Sequence, residues 1–192
     1  LGIMGGISIL GTSGIVEPMS LRALADTVTL EIRQAAAQGN RHIILTPGNY
    51  GMDFLRTQGL DRRGVPVVKC SNFIGEALDA CAAENFETVL LAGHTGKLGK
   101  LAGGIMNTHS RYADCRTELF CAHAAVCGAS TAACRALMDA PSSDGCIAIL
   151  DNAGLRTAVL ESMLSAIHLH LDRRAAGVFL VGEILFSNEY GP

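Results

Sequence analysis

Aromatic and basic residues are scarce in this sequence. It contains no tryptophan, 5% aromatic residues in all, and three lysines among 192 positions. The formal net charge is -3 and the isoelectric point is about 6.1. Surfaces that bind nucleic acid need clustered cations, and platforms for unpaired bases need aromatic rings. We therefore expect no nucleic acid partner.

Long apolar runs and paired cysteine motifs are also missing. No run approaches the ~20 residues that a membrane-spanning helix needs, so we expect no membrane segment. The seven cysteines include no C-x-x-C pair, and no signal peptide is visible. We therefore expect free, mostly buried thiols and a reducing, cytoplasmic location.

Apolar residues, by contrast, are abundant. Hydrophobic residues make up 49% of the chain, which also has 22 glycines, and the mean hydropathy is +0.31. Strands of a sheet that is covered on both faces consist almost entirely of apolar residues. Five short runs have this character, at 6–10, 41–45, 65–69, 88–92 and 178–186.

Helical patterns alternate with these strands. The first is expected to begin at Ser20 as N-cap and to end at Gly39, and its inward residues are Leu21, Leu24, Val28 and Ile32. We expect Thr46–Gly51 to be a turn-rich loop. Ser71 and Asn72 are predicted to cap a helix whose inward residues are Ile74, Ala77, Leu78 and Cys81.

Helical segments dominate the second half of the chain, at 119–126, 131–138, 143–152 and 157–171. Strands that alternate with helices predict a mainly parallel sheet with helices on both faces. The predicted fold is thus a single Rossmann-like α/β domain over 1–192, with a helix-rich C-terminal part.

Polar, glycine-rich stretches follow the predicted strand ends, at 11–14, 46–51, 69–72 and 93–100. In open parallel sheets, ligands bind outside the carboxyl ends of the strands. These stretches therefore predict one binding rim. Cations are concentrated between residues 90 and 116, where the only carboxylate is Asp114; they are His94, Lys97, Lys100, His109, Arg111 and Arg116.

Two of these stretches can be compared with phosphate-binding motifs. Gly93–Lys97 resembles a phosphate loop, but the Walker spacing requires a glycine and a hydroxyl where this chain has Leu91 and Leu98. Gly11–Gly14 is G-x-x-G rather than G-x-G-x-x-G, and no acidic residue ends the second strand. An NTPase site and an ordinary dinucleotide site are thus weakly supported, and tight structural turns are the simpler interpretation.

A metal site is not predicted. His94, His109 and His123 could be drawn as ligands together with Asp114, but no pair has the H-x-x-x-H spacing that places two ligands on one helical turn. Ligand contacts or hydrogen bonds in the core are the favoured roles for these histidines.

The polar stretches together resemble a known family. The blocks, in chain order, are Gly11–Ser20, Thr46–Gly51, Lys69–Gly75, Gly93-His94 with Gly96-Lys97, and Leu101–Ile105 with Asn107–Arg111 and Ala113-Asp114. They resemble the cobalt-precorrin-5B C1-methyltransferase family, CbiD, of anaerobic cobalamin (vitamin B12) biosynthesis. Members of that family carry an additional N-terminal half, so the resemblance implies that these residues form the C-terminal half of a longer two-domain enzyme.

The resemblance implies transfer of a methyl group from S-adenosylmethionine to C1 of cobalt-precorrin-5B, a cobalt-containing tetrapyrrole with several carboxylates. The rim cations suit that substrate, because each charge-assisted hydrogen bond contributes roughly 1.5–3 kcal/mol. The expected substrate-binding residues are Lys69, Ser71, Asn72, Lys97, Lys100, Asn107, Arg111, Asp114 and Arg116. We expect His94 and His109 to act as catalytic bases, since histidine changes protonation near neutral pH. For the methyl donor we expect Gly11, Thr12, Ser13, Gly14, Thr46, Gly48, Asn49 and Tyr50.

A competing hypothesis belongs to another functional class. In that hypothesis, the chain is a non-catalytic corrinoid- or anion-binding domain that needs the family's N-terminal half for chemistry. The high apolar fraction also leaves a homo-oligomer, or an interface with that half, as a hypothesis.

Overall fold

The computed structural model of the chain describes residues 20–192. Within them, four strands form one parallel sheet in the order β2-β1-β3-β4. The strands are β1 (His42–Thr46), β2 (Val67–Lys69), β3 (Thr88–His94) and β4 (Leu180–Phe186). This arrangement confirms the prediction of a mainly parallel α/β sheet. The strand predicted at 6–10 and the glycine loop at 11–14 lie outside the described residues.

Eight helices pack around this sheet within residues 20–192. In chain order they are α1 (Leu21–Ala37), α2 (Asn49–Thr57), α3 (Ile74–Ala83), α4 (Thr95–Leu98), α5 (Arg116–Val126), α6 (Thr131–Met138), α7 (Ser143–Asn152) and α8 (Arg156–Ala175). A 3-10 turn at Gly99–Gly103 directly continues α4.

Different helices cover the two faces of the sheet. On one face, Ile44 and Ala92 pack against Leu55 of α2. On the other face, the alternate strand residues join a larger core with α1, α3 and α8, which includes Val28, Ile32, Ile43, Leu45, Val68, Ile74, Leu78, Val89, Leu91 and Ile167. Successive side chains of a strand point to opposite faces, which explains the alternation. The prediction of helices on both faces is confirmed.

The first helix begins and ends as predicted. The Ser20 hydroxyl accepts a hydrogen bond from the Ala23 N–H at 3.1 Å. The chain leaves α1 through Gly39, whose φ of 87° is readily adopted by glycine. Val28 is buried, whereas Leu24 is 38% exposed. The inward stripe therefore starts later in the helix than the spacing predicts.

The helix-rich C-terminal part extends the larger core. Helices α6 and α7 have the predicted bounds, because Ser130 and Ser142 cap them by accepting hydrogen bonds from the N–H groups of Ala133 and Gly145. The buried residues of α5 to α8 include Phe120, Leu137, Leu150, Val159 and Met163.

The loop predicted at Thr46–Gly51 is shorter in the structure. Helix α2 begins at Asn49, so only Pro47 and Gly48 connect it to β1. Gly51 makes this possible, because a Cβ at that position would lie 1.7 Å from Oγ1 of Thr46. A residue with no side chain lets the helix pack directly on the end of the strand.

The predicted cap of α3 is wrong. Phe73, not Ser71 or Asn72, is the N-cap residue, and no side chain accepts a capping hydrogen bond there. Ser71 has a left-handed φ of 54°. The Asn72 side chain instead accepts a hydrogen bond from Lys97 of α4, the helix that follows β3.

Strand β3 continues beyond the predicted end at residue 92. Gly93 pairs with Leu185 and His94 with Phe186 of β4, so the ladder extends to His94. The glycine that was expected to break the strand is therefore part of it. This extension brings His94 to the carboxyl edge of the sheet.

Two further expectations concern the whole chain. No helix within residues 20–192 combines the length and the apolar character needed to cross a membrane. All seven cysteines belong to the described part of the chain, and all are unpaired there, which confirms free thiols. Cys70, Cys81 and Cys146 are buried, three others are half-buried, and Cys115 is exposed.

Candidate functional site

The strand order changes direction between β1 and β3. The chain passes from β1 outward to β2 and then returns to β3 on the other side of β1. At the carboxyl end of this pair, a Cβ on Gly93 would lie 2.9 Å from the Pro47 ring. Glycine therefore allows the loop after β1 to lie directly against β3. Open α/β sheets bind ligands in the crevice at such a point.

Lys97 lies at this crevice. Its ammonium donates hydrogen bonds to the Pro47 carbonyl at 2.8 Å and to Asn72 Oδ1 at 2.9 Å. Lys97 thus joins the loops that follow β1 and β2. Burial lowers the pKa of Lys97 from the usual lysine range, and the charge of Lys100 acts in the same direction. An ammonium has three N–H donors, so one is left unused by residues 20–192 and can be donated to a ligand.

Lys100 is almost completely buried, with 3% of its surface exposed. Its ammonium donates to the Thr108 carbonyl at 3.2 Å and to the Ala113 carbonyl at 2.9 Å, and it lies 3.4 Å from Asp114 Oδ1. A buried ammonium needs such acceptors. Lys100 therefore holds the loop at 104–115 in place and contributes positive charge rather than a free N–H group.

The loop at 104–115 closes against the segment before α3. The Thr108 N–H donates to the Asn72 carbonyl at 3.0 Å, and the Gly75 N–H donates to the Met106 carbonyl at 3.1 Å. The Thr108 hydroxyl reaches Asn72 Oδ1 at 3.4 Å. These contacts form one wall of a pocket of about 290 Å³, here called the cationic pocket, lined by Asn72, Gly96, Lys97, Lys100, Thr108, His109, Ser110 and Arg116.

Arg116, the first residue of α5, adds a second accessible cation. Its guanidinium donates to both carboxylate oxygens of Asp114. This hydrogen bonding raises the pKa of Arg116 and lowers the pKa of Asp114. Asp114 offsets only one of the three cations of the pocket. The pocket therefore keeps a net positive charge, which suits an anionic ligand.

His94 lies between two aromatic rings and a carboxylate. Its ring centroid is 5.7 Å from that of Phe186 and 6.1 Å from that of Tyr50, and Nε2 is 3.8 Å from Asp144 Oδ2. Its Nδ1 accepts a hydrogen bond from the Gly96 N–H at 3.0 Å. This bond assigns the proton of the neutral ring to Nε2, where it can be donated to a ligand or to Asp144.

His109 has the same local arrangement. Its Nδ1 accepts a hydrogen bond from the Arg111 N–H at 3.0 Å, so the neutral ring carries its proton on Nε2. A general base needs a lone pair that faces the substrate. In both His94 and His109 the Nδ1 lone pair is occupied by a backbone N–H two residues later. Their geometry favours hydrogen-bond donation, and the role of catalytic base stays a prediction.

Lys69 lies apart from the cationic pocket. Its exposed ammonium donates to Asn49 Oδ1 at 3.1 Å. Both residues line a separate depression beside α1 and α2, together with Glu31. The structure therefore does not bring Lys69 together with Lys97, although both follow strand ends.

The predicted methyl-donor residues have different environments. Thr46 is fully buried, and its hydroxyl faces Gly51 of α2. Gly48 adjoins the site, since a Cβ there would lie 3.9 Å from Lys97 Nζ. Tyr50 is 67% exposed. Thr46 is thus the least accessible member of this group.

The remaining predicted residues lie around the cationic pocket. Asn107 pairs with Phe73 through an isolated β-bridge, and its Oδ1 accepts a hydrogen bond from the His109 N–H at 3.2 Å. Ser71 is half-buried beside Asn72, and Arg111 is exposed. Asn107 therefore shapes the loop, whereas Arg111 is available at its surface.

Metal ligands do not cluster in the described part of the chain. No group of three or more His, Cys, Asp or Glu residues between 20 and 192 is arranged to hold a metal ion. His123 lies on α5 with Nδ1 2.8 Å from Ser162 Oγ of α8, and burial lowers its pKa. Its partner is therefore a core hydroxyl rather than His94 or His109.

Several residues of the site were not predicted. Thr108 and Ser110 belong to one of the stretches that resemble the family, and that position was the signal available for them. Asp144, in the first turn of α7, pairs with His94 and accepts a hydrogen bond from the Ser187 hydroxyl at 2.8 Å. Nothing local marks Asp144, because these contacts join distant parts of the chain.

A larger cavity of about 480 Å³ lies between the N-terminal half of α8 and β4. The sequence did not predict it, because its walls come from helices whose apolar residues were interpreted as core. Two carboxylates line it, so it is called the acidic cavity below. Its apolar lining includes Ile147, Leu160, Met163, Leu164 and Leu185, and its carboxylates belong to Glu161 and Glu183.

The family-model match and the similar curated proteins point to the same protein family. Residues 107–192 match the family model described as the CbiD C-terminal domain. A cobalt-precorrin-5B C(1)-methyltransferase from Ruminiclostridium cellulolyticum is 50% identical over 190 residues, which are 98% of this chain and 49% of that protein. The protein of the same name from Alkaliphilus metalliredigens is 39% identical over 191 residues, which are 100% of this chain and 50% of that protein.

Similarity extends to an archaeal protein. A cobalt-precorrin-5B C(1)-methyltransferase from Methanocaldococcus jannaschii is 36% identical over 178 residues, which are 93% of this chain and 49% of that protein. The chain spans about half the length of these curated relatives. No solved structure matched the chain.

Proposed function

Because this chain belongs to the CbiD family, we propose that it is part of a cobalt-precorrin-5B C(1)-methyltransferase and binds the carboxylates of the tetrapyrrole substrate. In this proposal, the reaction transfers a methyl group from S-adenosylmethionine to C1 of the substrate in anaerobic cobalamin biosynthesis. The match to the C-terminal domain of the family supports a further proposal, that the chain corresponds to the C-terminal half of a two-domain enzyme. Its unpaired thiols support a cytoplasmic location.

The cationic pocket is the observation that carries this proposal. Lys97 lies at the change in strand order and keeps one N–H donor beyond its bonds to Pro47 and Asn72. Arg116 provides a guanidinium that is 34% exposed. A pocket of about 290 Å³ has room for a carboxylate side chain of a tetrapyrrole, while the macrocycle itself lies outside it. We infer that this pocket anchors one acidic arm of the substrate.

The methyl group and the acceptor carbon must be held in line at near-contact distance. S-Adenosylmethionine supplies an electrophilic methyl group when it is bound. The residues of this chain then act by binding and orientation. Lys97 and Arg116 fix a carboxylate, and the Nε2–H groups of His94 and His109 donate hydrogen bonds to substrate oxygens at the rim.

A test of the proposal combines binding with turnover. Purified chain is titrated with cobalt-precorrin-5B, and the absorbance of the tetrapyrrole reports binding. Transfer of labelled methyl from S-adenosylmethionine is then measured on the same sample. We expect saturable binding of cobalt-precorrin-5B. The affinity should fall about tenfold or more in Arg116→Met, because the hydrogen bond between the guanidinium and a substrate carboxylate is lost. Wild-type chain that leaves the absorbance unchanged would refute it.

The non-catalytic alternative rests on its own observation. In His94 and His109 the Nδ1 atoms accept backbone hydrogen bonds, so neither ring offers an open lone pair for proton abstraction. In this alternative, the chain binds the tetrapyrrole and the other half of the enzyme supplies the chemistry. Binding without turnover, with turnover restored by the N-terminal half of a relative, supports the alternative. Methyl transfer by the chain alone eliminates it.

A further inference from the structure

The acidic cavity differs from the cationic pocket in both shape and charge. Its volume of about 480 Å³ lies within the range of pockets that hold small molecules and cofactors. Aliphatic and thioether side chains from α7, α8 and β4 supply six of its fifteen described lining residues. Tyr190, from the segment that follows β4, also lines the cavity, and the Arg156 guanidinium lies 5.8 Å from the centroid of the Tyr190 ring. Such a surface suits a ligand with a flat or aliphatic body.

Glu183 places a largely buried carboxylate in the wall of this cavity. Its side chain is only 8% exposed, and one carboxylate oxygen, Oε2, is 3.1 Å from Nδ1 of His168. No described residue donates a hydrogen bond to the other oxygen, Oε1, which is not fully buried. A buried carboxylate is stabilised by cationic or N–H partners. Glu183 is therefore prepared to accept a positively charged group from a ligand.

The second carboxylate acts in the same direction. Glu161 is exposed at the rim of the cavity. Among the described residues of the lining, Arg156 is the one cation, and Asp151 already pairs with it at 3.1 Å. The cavity therefore presents two carboxylates: Glu183 is paired with the His168 imidazole outside the lining, and Glu161 has no cationic partner among the described lining residues. This charge is opposite to that of the cationic pocket.

The two sites adjoin the same short helix. Thr95 of α4 lines the acidic cavity, and the next two residues, Gly96 and Lys97, line the cationic pocket. The Thr95 hydroxyl donates to the Phe186 carbonyl at 2.9 Å, which ties α4 to the end of β4. One helical turn thus separates a site suited to anions from a site suited to cations.

We propose that the acidic cavity binds the methyl donor, a sulfonium nucleoside of the S-adenosylmethionine class, with its positive charges facing Glu183 and Glu161. This inference rests on the proposed function, which requires such a donor. The ligand carries a sulfonium and an ammonium, which suit the two carboxylates, and a flat purine, which suits the apolar lining; its own carboxylate needs a cation, which Arg156 can supply. The site differs from the one expected in the loop after β1, where Thr46 is buried beneath α2.

Calorimetric titration of S-adenosylhomocysteine and S-adenosylmethionine into the full chain tests this inference. Leu164→Trp, at a position that is 39% exposed, fills the cavity and should abolish binding of both ligands while the protein remains folded. Glu161→Gln and Glu183→Gln should weaken S-adenosylmethionine about tenfold. They should weaken S-adenosylhomocysteine less, because its sulfur is neutral. Circular dichroism verifies that each variant is folded.

Control variants locate the effect. Glu76→Gln removes an exposed carboxylate from α3 and should leave binding unchanged. Tyr50→Ala tests the rival location in the loop after β1. Failure of wild type to bind either ligand would overturn the inference, as would binding that survives Leu164→Trp or that depends on Tyr50 instead.

Failure of this inference can be separated from failure of the proposed function. The cationic pocket is tested on the same protein with a stable polycarboxylate tetrapyrrole such as uroporphyrin. Tetrapyrrole binding that depends on Lys97, without nucleoside binding, overturns only the donor site. Nucleoside binding without tetrapyrrole binding supports the donor site and contradicts the proposed substrate site.

Discussion

Replacement of Lys97 by methionine is the most informative perturbation of the cationic pocket. The side chain keeps a similar length and its apolar stem, but the ammonium is lost. Two hydrogen bonds within the protein disappear, to the Pro47 carbonyl at 2.8 Å and to Asn72 Oδ1 at 2.9 Å. The third donor, which we assign to a substrate carboxylate, disappears with them.

The expected loss of tetrapyrrole affinity follows from the charge of the lost Lys97 ammonium. A hydrogen bond between charged partners contributes about 1.5–3 kcal/mol. At about 1.4 kcal/mol per factor of ten, Lys97→Met should weaken binding of a polycarboxylate tetrapyrrole by about 10-fold to about 150-fold. The unpaired Pro47 and Asn72 oxygens should lower the free energy of unfolding by about 1–3 kcal/mol, toward the lower end because Lys97 is only half-buried.

Absorbance titration with uroporphyrin measures the binding, and urea unfolding measures the stability. Lys69→Met is the matched control, because Lys69 lies in a separate depression and, within residues 20–192, donates only to Asn49. It should change the dissociation constant by less than about threefold. Equal losses in the two variants would refute the assignment of the carboxylate to Lys97, and so would full affinity in a folded Lys97→Met protein.

Three further outcomes follow from the structure. Since the pKa of Lys97 lies below the usual 10.5, tetrapyrrole binding should weaken with rising pH before an ordinary lysine loses its charge, and titrations from neutral to alkaline pH will detect this. Gly51→Ala should destabilise the fold by about 1–3 kcal/mol in urea unfolding, because its Cβ would lie 1.7 Å from Oγ1 of Thr46; an unchanged midpoint would contradict the packing of α2. A hydrogen bond to the glutamate of β4 raises the pKa of His168 above 6.5, so this pair should stabilise the protein fully below pH 6.5 and lose its effect as the pH rises through the raised value. In His168→Gln the free energy of unfolding should vary less with pH. The difference from wild type should be less than about 1 kcal/mol, because the imidazole is half exposed.

The sequence predicted the sheet and most helices because their signals are local. Apolar runs identified β1 to β4, and the predicted bounds of α6 and α7 agree with the structure, where Ser130 and Ser142 cap these helices. The errors occurred where a distant contact overrides a local preference. Asn72 would cap a helix in isolation, but its amide oxygen accepts a hydrogen bond from Lys97 instead. Gly93 would end a strand in isolation, but pairing with β4 extends β3 through it.

The candidate site could be predicted only in part, for the same reason. Clustering of cations in one segment identified Lys97 and Arg116, and the structure brings both into one pocket. The different positions of Lys97 and Lys69 could not be predicted from sequence spacing. Lys69 also follows a strand end, but it lines the separate depression beside α1 and α2. The acidic cavity depends on the packing of α8 against β4, which no local pattern describes.

Chemical-shift mapping by NMR shows which residues of the chain contact a bound tetrapyrrole. The isotope-labelled chain is titrated with uroporphyrin, and backbone amide shifts are followed residue by residue. We expect the largest saturable changes on Asn72, Lys97, Thr108 and His109, which line the cationic pocket. Saturable changes that fall instead on the depression around Asn49 and Lys69, with the cationic pocket unaffected, would contradict this expectation.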